Sequence, residues 1–279
     1  MATRMRLTGF ALAALGLALC GCAAKEATGP ESTPEASATG EGEVRVVAFV
    51  GAASKPPSQE AKEAFEKANP NIAIDMTFGG SGTLLNQMTL EETGDIYMPG
   101  SDDYMDKAEQ QKAVVPETRS IVAYLIPAIC VQSGNPKNIK SLKDLARPGI
   151  VVGLAEAGAV CLGDAADEIL RNAGLEEAVK KNVITYARSC EHTQQLVQLG
   201  EVDAVIGWDA FKHWAPEAID IVDIAPEYLR VRNIPAAVSV YAEHPQAAQK
   251  YIDFLVSEEG KAIFSKHGYS VDPPQLPGK

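Results

Sequence analysis

Val44-Arg45-Val46-Val47-Ala48-Phe49-Val50 runs directly into Gly51-Ala52-Ala53-Ser54, and a second apolar run, residues 72–78, runs into Gly79-Gly80-Ser81-Gly82-Thr83. Each run is short, apolar and bounded by glycine, which reads as a buried strand. Each turn is followed by a helical pattern, residues 59–68 and 84–92, so Ser54 and Ser81 both stand where a strand hands over to a helix. A serine there offers a hydroxyl beside backbone N–H groups that have no partner inside the helix, at the positive end of the helix dipole. Two such turns on neighbouring strands make a socket for a small anion without a charged side chain.

The same alternation continues outward from these turns. Strand patterns fall at residues 96–98, 120–131, 151–154, 183–187, 204–207, 219–224 and 236–241. Helical patterns fall at 104–111, 142–146, 164–172, 175–180, 192–199, 246–256 and 258–267. This is an α/β chain with mainly parallel sheets flanked by helices. The apolar stretch 120–131 is long enough to cross between two lobes, with 231–240 as its return. That places lobe 1 at residues 44–122 plus 233–279 and lobe 2 at 123–232, joined by a two-strand hinge with ligand held in the cleft.

Two further turns in lobe 2 open helices. Gly158-Ala159-Val160-Cys161-Leu162-Gly163 follows the strand at 151–154, and Ser189-Cys190-Glu191 follows the strand at 183–187. Four helix starts converging on one cleft would surround a tetrahedral dianion with neutral donors. Cys161 and Cys190 at these turns admit three readings: a disulfide, spectator thiols, or contact with a thiophilic ligand or metal. Cys130, within an apolar strand, reads as core. Trp208 ends a strand and either closes over the cleft or packs at the hinge. Asp95, Asp102, Asp103 and Asp106 form an acidic run that reads as a solvated loop and helix start. His192, His213, His244 and His267 are scattered without metal-ligand spacing, and a nucleophile elbow, phosphate loop or paired-carboxylate signature is absent from the sequence. The expectation is a binding protein rather than an enzyme, with no cofactor.

The ends bound the setting. Arg4 and Arg6 precede a stretch of small residues and leucines, and Leu19-Cys20-Gly21-Cys22 has the form of a bacterial lipobox with Cys22 at the modified position. Residues 1–21 are therefore expected to be a lipoprotein signal peptide, and residues 22–43, rich in Pro, Gly, Ser and Glu, a flexible tether. The protein would be exported and lipid-anchored to a bacterial membrane, in the periplasm or on the outer face of the cell membrane. The whole chain carries a net charge of −12, which excludes a basic nucleic-acid footprint. An anion receptor so acidic must rely on local dipoles, because its overall field repels the ligand.

With these residues in hand, the chain from 44 to 267 resembles the molybdate/tungstate-binding (ModA-type) solute receptors of ABC importers. The carriers are Phe49-Val50-Gly51-Ala52-Ala53-Ser54, Phe78-Gly79-Gly80-Ser81-Gly82-Thr83-Leu84, Asp95-Ile96-Tyr97-Met98, Gly134-Asn135-Pro136-Lys137-Asn138-Ile139 and Gly200-Glu201-Val202-Asp203-Ala204. The resemblance implies a type II periplasmic-binding-protein fold and a monomer whose partners are a small oxyanion and an importer permease. It implies that Ser54 and Ser81 hold the oxyanion by their hydroxyls, that Cys161 or Leu162 and then Cys190 present backbone amides, and that Trp208 stands where the family has a tyrosine. Three places depart from the family pattern: Val160-Cys161-Leu162-Gly163 replaces a Pro-Ala-Gly or Pro-Val-Gly turn, Trp208 cannot accept a hydrogen bond, and Pro99-Gly100-Ser101-Asp102 lacks the usual Ser-Ala before Asp. The ligand is expected to be molybdate or tungstate. The alternative is another oxyanion, such as sulfate or a thiophilic arsenic or selenium species, met through Cys161 and Cys190; a metal-binding protein or enzyme on the same scaffold ranks lower.

Overall fold

Ten strands form two five-stranded sheets in the computed structural model, which describes residues 43–274. The expected signal peptide, the lipid site at Cys22 and all but the last residue of the tether lie outside the described residues. In chain order the strands are β1 (Val44–Gly51), β2 (Ile72–Gly79), β3 (Ile96–Met98), β4 (Ser120–Leu125), β5 (Pro127–Gln132), β6 (Val152–Ala155), β7 (Val183–Ala187), β8 (Ala204–Trp208), β9 (Ile219–Asp223) and β10 (Arg232–Val238). The helices are α1 (Lys55–Ala68), α2 (Ser81–Glu91), α3 (Asp102–Gln110), α4 (Cys161–Asn172), α5 (Glu176–Lys180), α6 (Cys190–Gln198), α7 (Phe211–Trp214), α8 (Pro245–Leu255) and α9 (Glu258–Lys266).

The first sheet has the order β2-β1-β3-β10-β4, and the second has β7-β6-β8-β5-β9. In each, four strands run one way and one runs against them, β10 in the first sheet and β5 in the second. The inner parallel strands are apolar: Val46, Ala48, Ile96, Val152 and Leu154 are all buried, as strands covered on both faces must be. Their carboxyl ends in both sheets carry the glycine turns, which is where open α/β sheets place ligands.

The stretch 120–131, expected as one continuous strand, is two. β4 pairs with β10 in the first sheet, β5 pairs with β8 and β9 in the second, and Ile126 lies between them. Pro127 has no N–H to continue the β4 ladder, so the break falls just before it. The return is likewise a loop rather than a strand, since β10 starts at Arg232 and stays in the first sheet.

The acidic run is also not uniformly solvated. Asp102 and Asp103 do open α3, but Asp95 is 3% exposed and accepts hydrogen bonds from the backbone N–H groups of Val47 (2.8 Å) and His244 (2.7 Å). A buried carboxylate at a strand start is held by what it satisfies.

A half-buried carboxylate sits at the crossover. The Asp209 N–H donates to the Ile126 carbonyl at 2.9 Å, and the Asp209 carboxylate accepts from the Ala210 N–H at 2.8 Å. Burial pushes its pKa up to about 6, with backbone hydrogen bonds pulling the other way and Asp223 adding repulsion. A raised acid pKa means the folded state holds the proton more tightly. The resulting stabilisation is complete below the ordinary aspartate value near ~3.9 and is lost as pH rises toward 6. Asp209→Asn, which keeps the acceptor oxygen, should raise the Tm by about 2–8 °C at pH 7.5 and leave it nearly unchanged at pH 4. An equal shift at both pH values in thermal melts would contradict this account.

Candidate solute site

In the first lobe, β1 ends at Gly51 and a 3₁₀ turn, Ala52–Ser54, leads into α1, with Pro56 and Pro57 in the first turn where missing N–H groups cost nothing. Ser54 is buried; its Oγ donates to the Gly51 carbonyl at 3.2 Å and accepts from Ser58 Oγ at 3.4 Å. The Tyr269 hydroxyl donates to the Ala53 carbonyl and ties the turn to the far end of the chain. Ser81 is the first residue of α2. Its Oγ accepts from the Gly100 N–H at 3.0 Å, and its carbonyl accepts from the buried Tyr97 hydroxyl at 2.9 Å.

In the second lobe, Cys161 and Leu162 occupy the first turn of α4, and Cys190 is the first residue of α6. Both helices begin earlier than the sequence pattern suggested, so these residues belong to helix first turns rather than to the loops before them. Ser189 caps α6, its Oγ accepting from the His192 N–H at 3.1 Å. That leaves the Cys190 and Glu191 N–H groups among those with no partner inside the helix. Trp208, fully buried at the end of β8, donates its indole N–H to Cys190 Sγ at 3.4 Å. All three cysteines among the described residues are free thiols, and Cys161 and Cys190 lie in one buried cluster. The neighbouring Cys161 thiol and then burial push the Cys190 thiol well above the ordinary cysteine range, against the opposing pull of the Trp208 N–H. Cys130 is wholly buried in β5.

The two lobes meet across these turns. The Gly82 N–H donates to the Ala159 carbonyl at 3.1 Å. The Tyr104 hydroxyl on α3 donates to Asp164 on α4 at 2.7 Å, and Lys55 on α1 pairs with Glu191 on α6 at 3.0 Å. Arg232, at the start of β10, joins Glu168 on α4 and lies 3.5 Å from Asp103 on α3. The arrangement is a closed cleft. At its centre is Gly100: a β-carbon placed there would lie 2.7 Å from Cys161 Sγ, 3.3 Å from the Ala53 β-carbon and 3.7 Å from Ser81 Oγ. Only glycine lets the three turns approach so closely.

The structure therefore brings Ser81, Cys161, Cys190 and Trp208 into one buried cluster, with the Ser54 turn packed against α6 beside it. Gly100, Ser101, Tyr97 and Tyr104 also belong to it. The sequence marked Pro99-Gly100-Ser101-Asp102 only as a departure, and nothing in it signalled the two tyrosines. Among the described residues, no three His, Cys, Asp or Glu side chains assemble as a metal site. A groove of about 380 Å³ lined by Lys55, Glu191, Gln194, His213 and Trp214 lies at the rim of the cleft. A larger cavity of about 720 Å³ lies on the second lobe beside Ile126 and Tyr228, away from this cluster.

A family model described as bacterial extracellular solute-binding protein matches residues 46–270. The chain belongs to this family. The solute-binding protein is 24% identical over 269 residues to the molybdate-binding protein ModA of Mycobacterium tuberculosis, covering 93% of this chain and 95% of that one. In fold it is similar to the periplasmic molybdate-binding protein of Azotobacter vinelandii, with a TM-score of 0.71 at 16% identity, covering 82% of this chain and 100% of that chain. It is equally similar to the sulfate-binding protein SubI of Mycobacterium tuberculosis, with a TM-score of 0.71 at 18% identity, covering 83% and 88%. These relatives are named as binding proteins, and the two solved structures share the two-lobed fold described above. The solute-binding protein thus has the α/β, type II architecture, and it serves solute capture rather than catalysis.

Proposed function

We propose that this solute-binding protein receives molybdate or tungstate in the closed cleft and delivers it to an ABC importer permease. The observation that carries the reading is the make-up of the cleft: the Ser81 hydroxyl beside Gly100, the Ser54 turn next to it and the first turns of α2, α4 and α6, with the Lys55 ammonium at the rim already paired with Glu191. A tetrahedral dianion accepts hydrogen bonds and gives none, so hydroxyls and backbone N–H groups match it on every side. Neutral donors also permit release, since no ion pair has to be broken when the lobes part. Ser54 and Ser81 would donate from the first lobe. The N–H groups of Cys161, Leu162 and Cys190 would donate from the second, and Trp208 would wall the site. The relatives named for molybdate support this ligand over sulfate. Selectivity between the two would follow cavity size, because an unmatched donor in a dry site costs about 1–3 kcal/mol.

The expected lipid at Cys22 would hold the receptor at the membrane as a monomer, with the acidic tether between anchor and cleft. A direct test is calorimetry with molybdate, tungstate and sulfate. Ser81→Ala should weaken molybdate binding by about 10-fold or more, through loss of a charge-assisted hydrogen bond and of the acceptor for the Gly100 N–H. Unchanged affinity would remove Ser81 from the site, and failure of wild-type protein to bind either metal oxyanion would overturn the ligand.

A further inference from the structure

Four contacts close a ring across the two lobes at the Ser81 turn, and one side chain supplies two of them. Tyr104, on α3 of the first lobe, is 2% exposed, and its hydroxyl donates to Asp164 Oδ2 on α4 of the second lobe at 2.7 Å. The other oxygen of that carboxylate, Oδ1, accepts from the Gly158 N–H at 2.9 Å and so shapes the turn that leads into α4. The next residue of that turn, Ala159, accepts from the Gly82 N–H at 3.1 Å, back on the first lobe. Gly82 in turn lies against the Tyr104 ring: a β-carbon there would stand 3.0 Å from Tyr104 Cε1 and 2.5 Å from the Gly158 carbonyl oxygen. Lys107, further along α3, places its ammonium 4.0 Å from the centre of that ring. Burial and then the Asp164 bond push the Tyr104 hydroxyl above the ordinary tyrosine range, so it stays a donor through neutral and mildly alkaline pH.

We infer that Tyr104 is a positioning residue for solute retention: by bonding Asp164 across the cleft it holds the Ser81 turn in register with the first turn of α4, without itself touching solute. The inference rests on the cleft being the solute site, but not on molybdate being its solute. Ser81 directly precedes Gly82, and Cys161 and Leu162 lie just ahead of Asp164 on the same helix. The ring of contacts therefore fixes the spacing between the hydroxyl offered by one lobe and the amides offered by the other. A hydroxyl donating to a carboxylate makes a strong bond that depends sharply on geometry. It exists only while the lobes are together. Solute enters parted lobes without it and leaves only after it breaks, so its energy goes into slow release. The Lys55–Glu191 pair also crosses the cleft, but those side chains are 32% and 41% exposed, where an ion pair contributes little.

The test is Tyr104→Phe, which deletes the hydroxyl and keeps the ring against Gly82. In the full chain without ligand, the Gly82 amide is the reporter. As the second residue of α2 it has no partner inside the helix, so the Ala159 carbonyl on the other lobe is what protects it from exchange. Its hydrogen exchange should quicken by about 5-fold or more in the variant, while amides of β1 and β6 keep their parental rates. Unchanged exchange at Gly82 would overturn the inference, and so would β1 amides that quicken equally, since that marks a general loss of stability. Stopped-flow mixing with molybdate should find dissociation about 10-fold faster and association within about 2-fold of the parent. Slower association with parental dissociation would also overturn it. In an Asp164→Ala background, Tyr104→Phe should add less than about 2-fold to the dissociation rate, because the partner is already gone. The full effect in that background would overturn the pairing. Parental protein that binds neither molybdate nor tungstate defeats the ligand proposed above, and exchange at Gly82 then decides the role of Tyr104 alone.

Discussion

Replacing Gly80 by alanine should leave the protein folded while abolishing tight solute capture. Gly80 has φ −68° and ψ 139°, a conformation open to any residue, so the substitution adds no backbone strain. The added β-carbon, however, would lie 2.5 Å from the Ala159 carbonyl oxygen and 3.1 Å from that of Arg188, both on the second lobe. Backbone oxygens cannot swing aside as a side-chain tip can, so the lobes must stand apart. Separation takes the first turns of α4 and α6 out of reach of anything held by Ser54 and Ser81. At about 1 kcal/mol for each hydrogen bond lost, affinity should fall by about 100-fold or more. The ligand-free Tm should stay within about 3 °C of the parent. Calorimetry with molybdate, beside a melt without ligand, decides the matter. Parental affinity in this variant would mean that the closed arrangement is not the ligand-holding one.

Asp95→Ala should have the opposite character, with a large loss of stability. The carboxylate satisfies two backbone N–H groups far apart in sequence, Val47 in β1 and His244 ahead of α8. Removing it orphans both donors in a site that is nearly dry, at about 1–3 kcal/mol each. A total of about 2–6 kcal/mol would lower the Tm by roughly 4–24 °C for a chain of this size. Asp95→Asn, which retains one carbonyl acceptor, should fall between. A denaturant midpoint within error of the parent would show that water replaces the carboxylate freely.

Asp95 also marks a limit of reading the chain alone. Four aspartates within twelve positions look like a solvated loop, because composition cannot separate a carboxylate that opens a helix from one that bonds to a strand 48 residues earlier. The strand–turn–helix order, by contrast, was legible: glycines and prolines punctuate short apolar runs, and those signals are local. The two serine turns were found for the same reason. What escaped was long-range. Cys161 and Cys190 were noted as turn residues, but their burial in one cluster depends on how α4 and α6 pack on one sheet. Trp208 was noted as a strand end, but its indole partner is 18 residues away. Tyr97 and Tyr104 entered the site through contacts that leave no pattern in sequence. The break at Ile126 was visible in principle, since Pro127 stood in plain view inside a run scored only for apolarity.

The hydrogen bond from Tyr269 to the Ala53 carbonyl spans 216 positions, and Ser270 forms a bridge with Tyr124 close by. A chain made from its amino end therefore completes the turn bearing Ser54 only after Tyr269 has been added. Until then the first lobe has its strands but an untethered pocket rim. A chain that stops short of Tyr269 leaves the Ser54 turn without that tie.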